Sequence, residues 1–293
     1  MAQVGSSIVF IALYGVSFGM VLFTISVGLV VTMGLMRILN LAHGAFAGVG
    51  GYISVSLMNV YGVPFPLAVA IAAGSVAVLG AVLERLLYRH LYRAGALDQV
   101  LMTIGLAFVA VASLNFVFGP NPVSAQLPPS LSASIDLAGQ PIQVYRLAVI
   151  ALGVALILML WFVFDRTSFG ARLRSAVDNR GMAQAVGINV DRLYSIAFAL
   201  GCGLAALGGA VGYVILPLDP LYPFKYLTIV LVVVAISGRG KLKTSAGVAI
   251  LVGVIDTACR YLVPSIGAFV IYVLLIACLA WRSNGLFAAR ARA

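Results

Sequence analysis

The stretch "GLVVTMGLMRILNLAHGAFAGVGGYISV", residues 28–55, holds the end of an apolar run, a polar turn and a glycine-rich segment in immediate succession. The apolar run begins near residue 8 and ends near 36, too long for one untilted membrane span, and Gly15, Gly19, Gly28 and Gly34 interrupt it. It reads as a helix followed by a second, short one. The turn "MRILNLAHG" (36–44) has a counterpart further on, "GRGKLKTSAG" (238–247), which follows the apolar run 225–237. That run has 13 residues, about 20 Å as a helix against a hydrocarbon core of about 30 Å, so it cannot cross alone. Glycine-rich helices follow both turns, with Gly44, Gly48, Gly50 and Gly51 in the first and Gly247 and Gly253 in the second. Short or interrupted segments at matching places in two halves point to a transporter built of repeats, here 8–84 and 194–282. Two unrelated re-entrant hairpins are the alternative, and the sequence leaves open whether the repeats are parallel or inverted.

Composition fixes the class around these turns. The 293 residues are 63% hydrophobic and 9% charged, with a mean hydropathy of +1.13; soluble domains carry roughly 25% charged residues. The expected fold is all-α, a polytopic transmembrane helix bundle of about eight to ten spans forming one domain over residues 1–293. Candidate segments fall at 8–36, 44–60, 66–84, 99–118, 147–164, 194–215, 225–237, 244–262 and 267–282. The first lacks the basic flank and cleavage site of a signal peptide, so it reads as a membrane helix. Cys202, Cys259 and Cys278 lie in apolar runs with no ligand spacing, so they read as buried thiols, with neither a disulfide framework nor a metal site. The pairs Gly15/Gly19, Gly44/Gly48 and Gly208/Gly212 let backbones approach closely, within the subunit or at a dimer seam.

Charge sets the expected orientation. The chain has 18 bases and 8 acids, a net charge of +10. No basic patch alternates with aromatics as nucleic-acid binding requires, so no nucleic-acid partner is expected and the bases should face membrane lipid. Fifteen bases sit on alternate loops, in groups at 37, 85–93, 166–192, 239–243 and 282–292. Arg146, Lys225 and Arg260 are the remainder. The positive-inside rule then places the N-terminus outside and the C-terminus in the cytoplasm, with nine crossings. The proline-rich 119–146 loop faces out, either as a docking surface or as a neutral connector.

The polar stretch 165–193 is too long for a turn and carries its own helix. Asp178 or Asn179 can cap it, Met182, Ala183, Ala185 and Val186 supply an apolar face, and Gly187 ends it. A short amphipathic helix with small side chains suits a protein groove, the alternative being the lipid interface.

The string "GARLRSAVDNRGMAQAVGINVDRLYSIAFALGCGLAALGGAVG" (170–212), the first-turn stretch 28–55 and the closing "RSNGLF" (282–287) together resemble the LivH-type membrane permease subunit of branched-chain amino acid ABC importers. The resemblance runs from about residue 20 to 287. One departure is the second turn, usually neutral and glycine-rich, where this chain has Arg239, Lys241 and Lys243. The resemblance implies four kinds of partner or setting: a second homologous permease subunit, two ATP-binding cassette subunits, a periplasmic solute-binding protein, and the bacterial inner membrane. Branched-chain or hydrophobic amino acids, or a related small solute, are the implied cargo. No cofactor is expected here, ATP and Mg belonging to the partner ATPases. "GRGKLKT" fails the P-loop pattern, since Ala235 fills the first glycine position and Leu242 the Ser/Thr position. Energy must then enter through the 178–189 segment: Asp178, Asn179, Arg180, Met182, Ala183, Ala185, Val186, Gly187, Ile188 and Asn189.

Three further sites stand out. Asn40 and His43 in the first turn, with Ser237 and Gly238 at the second, are candidates for lining a translocation path, although His43 can equally satisfy backbone groups freed by the helix break. Asp256 and Arg260, spaced i, i+4, form a candidate intramembrane ion pair, unless Arg260 merely snorkels outward. No GxSxG, HExxH or paired carboxylates appear, so the chain is not read as an enzyme. A passive solute channel is the alternative function, and it leaves the 165–193 loop unexplained.

Overall fold

A computed structural model describes residues 2–36, 40–91, 94–137, 140–237, 242–265 and 267, 269, 270, 272, 273, 276 and 277. Its axis is α1 (Ala2–Met36), one continuous helix of 35 residues, about 52 Å long. The expected division of the 8–36 run into two helices is therefore corrected. The glycines do not break α1 because neighbouring backbones occupy their faces. A Cβ on Gly15 would lie 2.6 Å from the Cα of Val254, and one on Gly19 2.6 Å from that of Ile250. Residues 19–32 are buried on every side, so an all-round apolar sequence suits this central position.

After Met36 the chain doubles back. α2 (His43–Tyr61) begins beside Ile25, whose carbonyl lies 2.9 Å from His43 Nε2, eleven residues or about 16 Å back from the end of α1. Gly62, at φ 63°, closes α2. α3 (Phe65–Leu83) then returns, continued by a π turn (Glu84–Tyr88) and α4 (Arg89–Leu91). α5 (Ala96–Phe118) lies at the periphery with Phe116 92% exposed, as a lipid-facing helix should. The 119–146 region holds α6 (Pro129–Ser132) and a small antiparallel hairpin, β1 (Ser134–Leu137) with β2 (Gln140–Gln143), in which Ser134 pairs with Gln143. The sequence reading, a docking surface or a neutral connector, placed no strands here.

α7 (Val144–Trp161) runs parallel to α1, with Arg146 over the Tyr14 ring and Gly153 against Met20. A π turn (Phe162–Arg166) leads to α8 (Ser168–Asp178) and α9 (Arg180–Ala185). α10 (Val190–Gly212) is antiparallel to α3, pairing Gly80 with Cys202, Glu84 with Ser195 and Arg89 with Asp191. α11 (Tyr222–Lys225) seats Pro223 against Gly44 at the start of α2. α12 (Leu227–Ser237) has 11 residues, and α13 (Leu242–Leu262) climbs antiparallel to α1.

Six described helices are long and apolar enough to cross a membrane: Ile8–Met33, Phe65–Leu91, Ala96–Phe118, Val144–Arg166, Val190–Gly212 and Leu242–Leu262. The segments read at 44–60 and 225–237 are α2, which starts inside the bundle, and the short α12. The ninth, 267–282, lies largely outside the described residues. The bundle thus has a loop end, carrying α8 and α9, and a hairpin end, carrying β1 and β2. Both helical hairpins, α1–α2 and α12–α13, run to the loop end and climb back, so they point the same way. They differ from the expected likeness in one respect, because only α12 is a short helix while its counterpart is the end of α1. Cys202 is a buried free thiol and Cys259 a half-buried one.

Candidate functional site

At the loop end the bases of separate loops converge. Asn179 caps α9, its Oδ1 accepting from Met182 N at 3.0 Å; of the two candidate caps, Asp178 is instead the last residue of α8. Gly187, at φ 85°, lets the chain leave the helix, and Ile188 N donates to Ala183 O at 3.0 Å. Asn189 then caps α10 by accepting from Arg192 N at 3.0 Å. Two asparagine caps and one left-handed glycine thus shape the loop.

The expected apolar face of this helix is split. Ala183 is buried against Leu173, Ala176, Val190 and Leu193, with Ile188 packed beside them. Met182 and Val186 point away, 64% and 68% exposed, and Ala185 is exposed as well. A helix of six residues makes under two turns, so it turns one side chain to the body and the rest outward.

Arg180 is held, not free. Its Nη2 donates to Asp191 Oδ1 at 2.8 Å, while Asp191 Oδ2 accepts from Arg89 Nη2 at 2.6 Å. One carboxylate at the start of α10 therefore fastens α9 to α4. Sequence reasoning missed Asp191 and Arg89, because nothing in their spacing, 102 residues, announces the contact. It also missed Glu84, the chain's single glutamate, which is buried at 1% exposure and accepts from Ser195 Oγ.

Asn40 and His43 of the first turn are buried in protein. Asn40 Oδ1 accepts from Tyr88 OH at 2.9 Å and from Ala42 N at 3.1 Å. His43 Nε2 donates to Ile25 O; since a carbonyl only accepts, Nδ1 carries the lone pair. Among the described residues, neither that Nδ1 nor Asn40 Nδ2, both buried, has a hydrogen-bond partner. Ser237 is buried too, donating to Val234 O at 3.2 Å. No hydrogen bond of Asn40 or His43 reaches α12 or α13 among the described residues, and Gly238 lies outside the described residues.

At the hairpin end, Arg260 Nε donates to both oxygens of Asp256, at 2.8 and 2.9 Å. The i, i+4 spacing forms this pair, and both residues line a cavity of about 700 Å³. A smaller cavity of about 360 Å³ at the loop end is lined by Phe23, Val30, Trp161, Asp165 and Lys243. There Asp165 stands 4.0 Å from both Arg174 and Lys243.

The architecture is that of a multi-pass membrane protein, and known proteins agree. A 250-residue match at 24% identity relates it to the "Probable branched-chain amino acid transport permease protein LivH" of Methanocaldococcus jannaschii, covering 82% of this chain and 78% of the relative. The LivH permease of the high-affinity branched-chain amino acid transport system of Escherichia coli K12 is 25% identical over 211 residues, 67% of this chain and 68% of its own. The fructose import permease FrcC of Rhizobium meliloti is 27% identical over 234 residues, 76% and 63% of the two chains. No solved structure shows significant similarity. The family described as "Branched-chain amino acid transport system / permease component" matches residues 11–279, and the chain belongs to it.

Proposed function

We propose that the chain is one of two membrane subunits of an ATP-driven importer in the bacterial inner membrane, working with two ATPase subunits and a periplasmic binding protein. Its loop end faces the cytoplasm and its hairpin end the periplasm, in line with the bias of the bases. The observation that carries this reading is α9, capped, clamped by Asp191 and yet presenting Met182 and Val186 to solvent. An apolar pair held on a braced helix suits the groove of a partner. A passive channel has no use for it.

The cargo is a branched-chain or other hydrophobic amino acid, or a related small solute. The path runs beside the two turns, near Asn40, His43, Ser237 and Gly238, and the burial of Asn40, His43 and Ser237 fits a closed conformation. The halves 8–84 and 194–282 are related repeats of the same sense, as their hairpins suggest. Co-purification followed by assay in proteoliposomes tests the reading. ATP hydrolysis stimulated by solute and binding protein supports it; solute flux through this chain alone, without ATPase subunits, overturns it.

A further inference from the structure

The cavity at the loop end includes no residue of α9 or of the first turn. It lies between α1, α7, α8 and the start of α13, and burial grades its lining. Phe23, Leu160 and Leu173 are buried, whereas the side chains of Arg174 and Lys243 are 55% and 75% exposed. The apolar residues therefore form the floor, and the cations stand at the mouth. Along α1 the lining runs from Val31 to Phe23, about 12 Å of helix away from the loop end. One leaflet of the hydrocarbon core is about 15 Å deep, so the cavity descends through most of a leaflet.

The mouth lies at headgroup level and carries surplus positive charge. Trp161 lines it, with the Arg166 guanidinium 5.3 Å and Lys243 Nζ 5.5 Å from the centre of its ring. Tryptophan beside basic residues at the end of an apolar helix marks a membrane–water interface. Asp165 is the only carboxylate among the described lining residues. It stands 4.0 Å from both Arg174 and Lys243, the outer limit of an ion pair, so two cations share one distant charge. With Arg166, three cations gather around one carboxylate. A free phosphate would satisfy the mouth and leave the apolar floor empty. A choline headgroup would bring a further cation to it. A phospholipid of net negative charge suits both parts, since basic pockets between helices on the cytoplasmic side hold such headgroups.

We propose that this cavity holds an anionic phospholipid from the leaflet at the loop end, its phosphate between Arg174 of α8 and Lys243 of α13 and one acyl chain against Phe23 and Leu160. The lipid then ties the loop that carries α9 to the foot of α13. It also supplies a counter-charge to Lys243, one of the three bases by which the second turn departs from the family resemblance. The proposal goes beyond the importer reading and is independent of it, since it needs only a chain that crosses a membrane.

The chain has two tryptophans, Trp161 and Trp281, so W281F leaves Trp161 as a single fluorescent reporter at the cavity. The test places this full-length chain in phosphatidylcholine nanodiscs that contain rising fractions of lipid brominated on its acyl chain, a contact quencher. Brominated phosphatidylglycerol should reach half-quenching at a mole fraction about fivefold or more below that of brominated phosphatidylcholine. R174Q and K243Q should each weaken that preference by about fivefold, and D165N, which removes the competing carboxylate, should strengthen it. Arg85, a base of the same end that does not line the cavity, supplies the control, and R85Q should leave the preference unchanged. Equal quenching by the two lipids, or none by either, overturns the proposal independently of how any variant folds. A loss in R85Q as large as that in K243Q also overturns it, reducing the effect to general surface attraction. So does release of the brominated lipid by soluble glycerol phosphate, which would make the mouth a site for a free phosphate.

Discussion

Replacing Asp191 by asparagine keeps the side chain's shape but removes the charge that joins α9 to α4. The carboxylate makes two charge-assisted contacts, to Arg89 at 2.6 Å and Arg180 at 2.8 Å. Its side chain is 40% exposed and those of the arginines 51% and 42%, so each contact ranks with solvent-screened pairs, about 0.2–1 kcal/mol. Together they contribute about 0.5–2 kcal/mol, which shifts the docking equilibrium of α9 by about two- to thirtyfold. That is too little to unfold a bundle whose core lies elsewhere. D191N should therefore insert and assemble normally, while amide exchange of residues 180–187 accelerates by about that factor. In proteoliposomes, solute imported per ATP hydrolysed should fall with it, because a loosened helix transmits less of the ATPase movement. Unchanged exchange and unchanged coupling in D191N would refute the clamp; loss of membrane insertion would equally refute it, since Asp191 would then be a folding determinant.

Ala183 and its neighbours should divide by burial. Ala183→Leu overpacks the cluster around Leu173 at a cost of about 1–3 kcal/mol, visible as a lower Tm, whereas M182D and V186D keep the Tm and lose co-purification with the ATPases. Gly19→Leu should prevent α13 from docking on α1 and collapse expression of folded protein, while Gly74→Ala, which meets nothing within 4 Å, should be silent in the same fluorescence size-exclusion assay. Reporters fused at residue 93 and at Pro128 should give opposite topology signals, and matching signals would invalidate the assignment of the loop end to the cytoplasm. Cysteines at Asn40 or Ser237 should be inert to a small polar thiol reagent in the closed state and react in another nucleotide state; inertness in every state argues against a path beside the turns.

Much of the fold is legible because burial in a membrane leaves a coarse signal: long apolar runs, bases gathered at one end, glycines where backbones meet. The coupling helix is legible because its caps are local, Asn179 acting on Met182 and Gly187 closing the turn three residues after Gln184. What escapes the sequence is long-range or cooperative. Four glycines in the 8–36 run argue for a break when counted locally, yet Gly15 and Gly19 are contacts with a helix more than two hundred residues away. Asp191 reaches Arg89 across 102 residues of chain, and Glu84 finds Ser195 only because α3 and α10 pack antiparallel. Burial of Ala183, in place of the whole apolar stripe, depends on what lies beneath α9, which helical periodicity does not encode.

The close seat of α13 on α1 also bears on how the chain is made. Val254 emerges from the ribosome 239 residues after its contact Gly15. At about 5–20 residues per second, that is about 10–50 s during which the opening helix sits in the bilayer with its glycine face uncovered. Lipid or the insertion machinery must occupy that face in the interval, and the last described long helix must displace it. This seam therefore closes late, and a ribosome that stalls before Val254 leaves a bundle whose centre is still an outside surface.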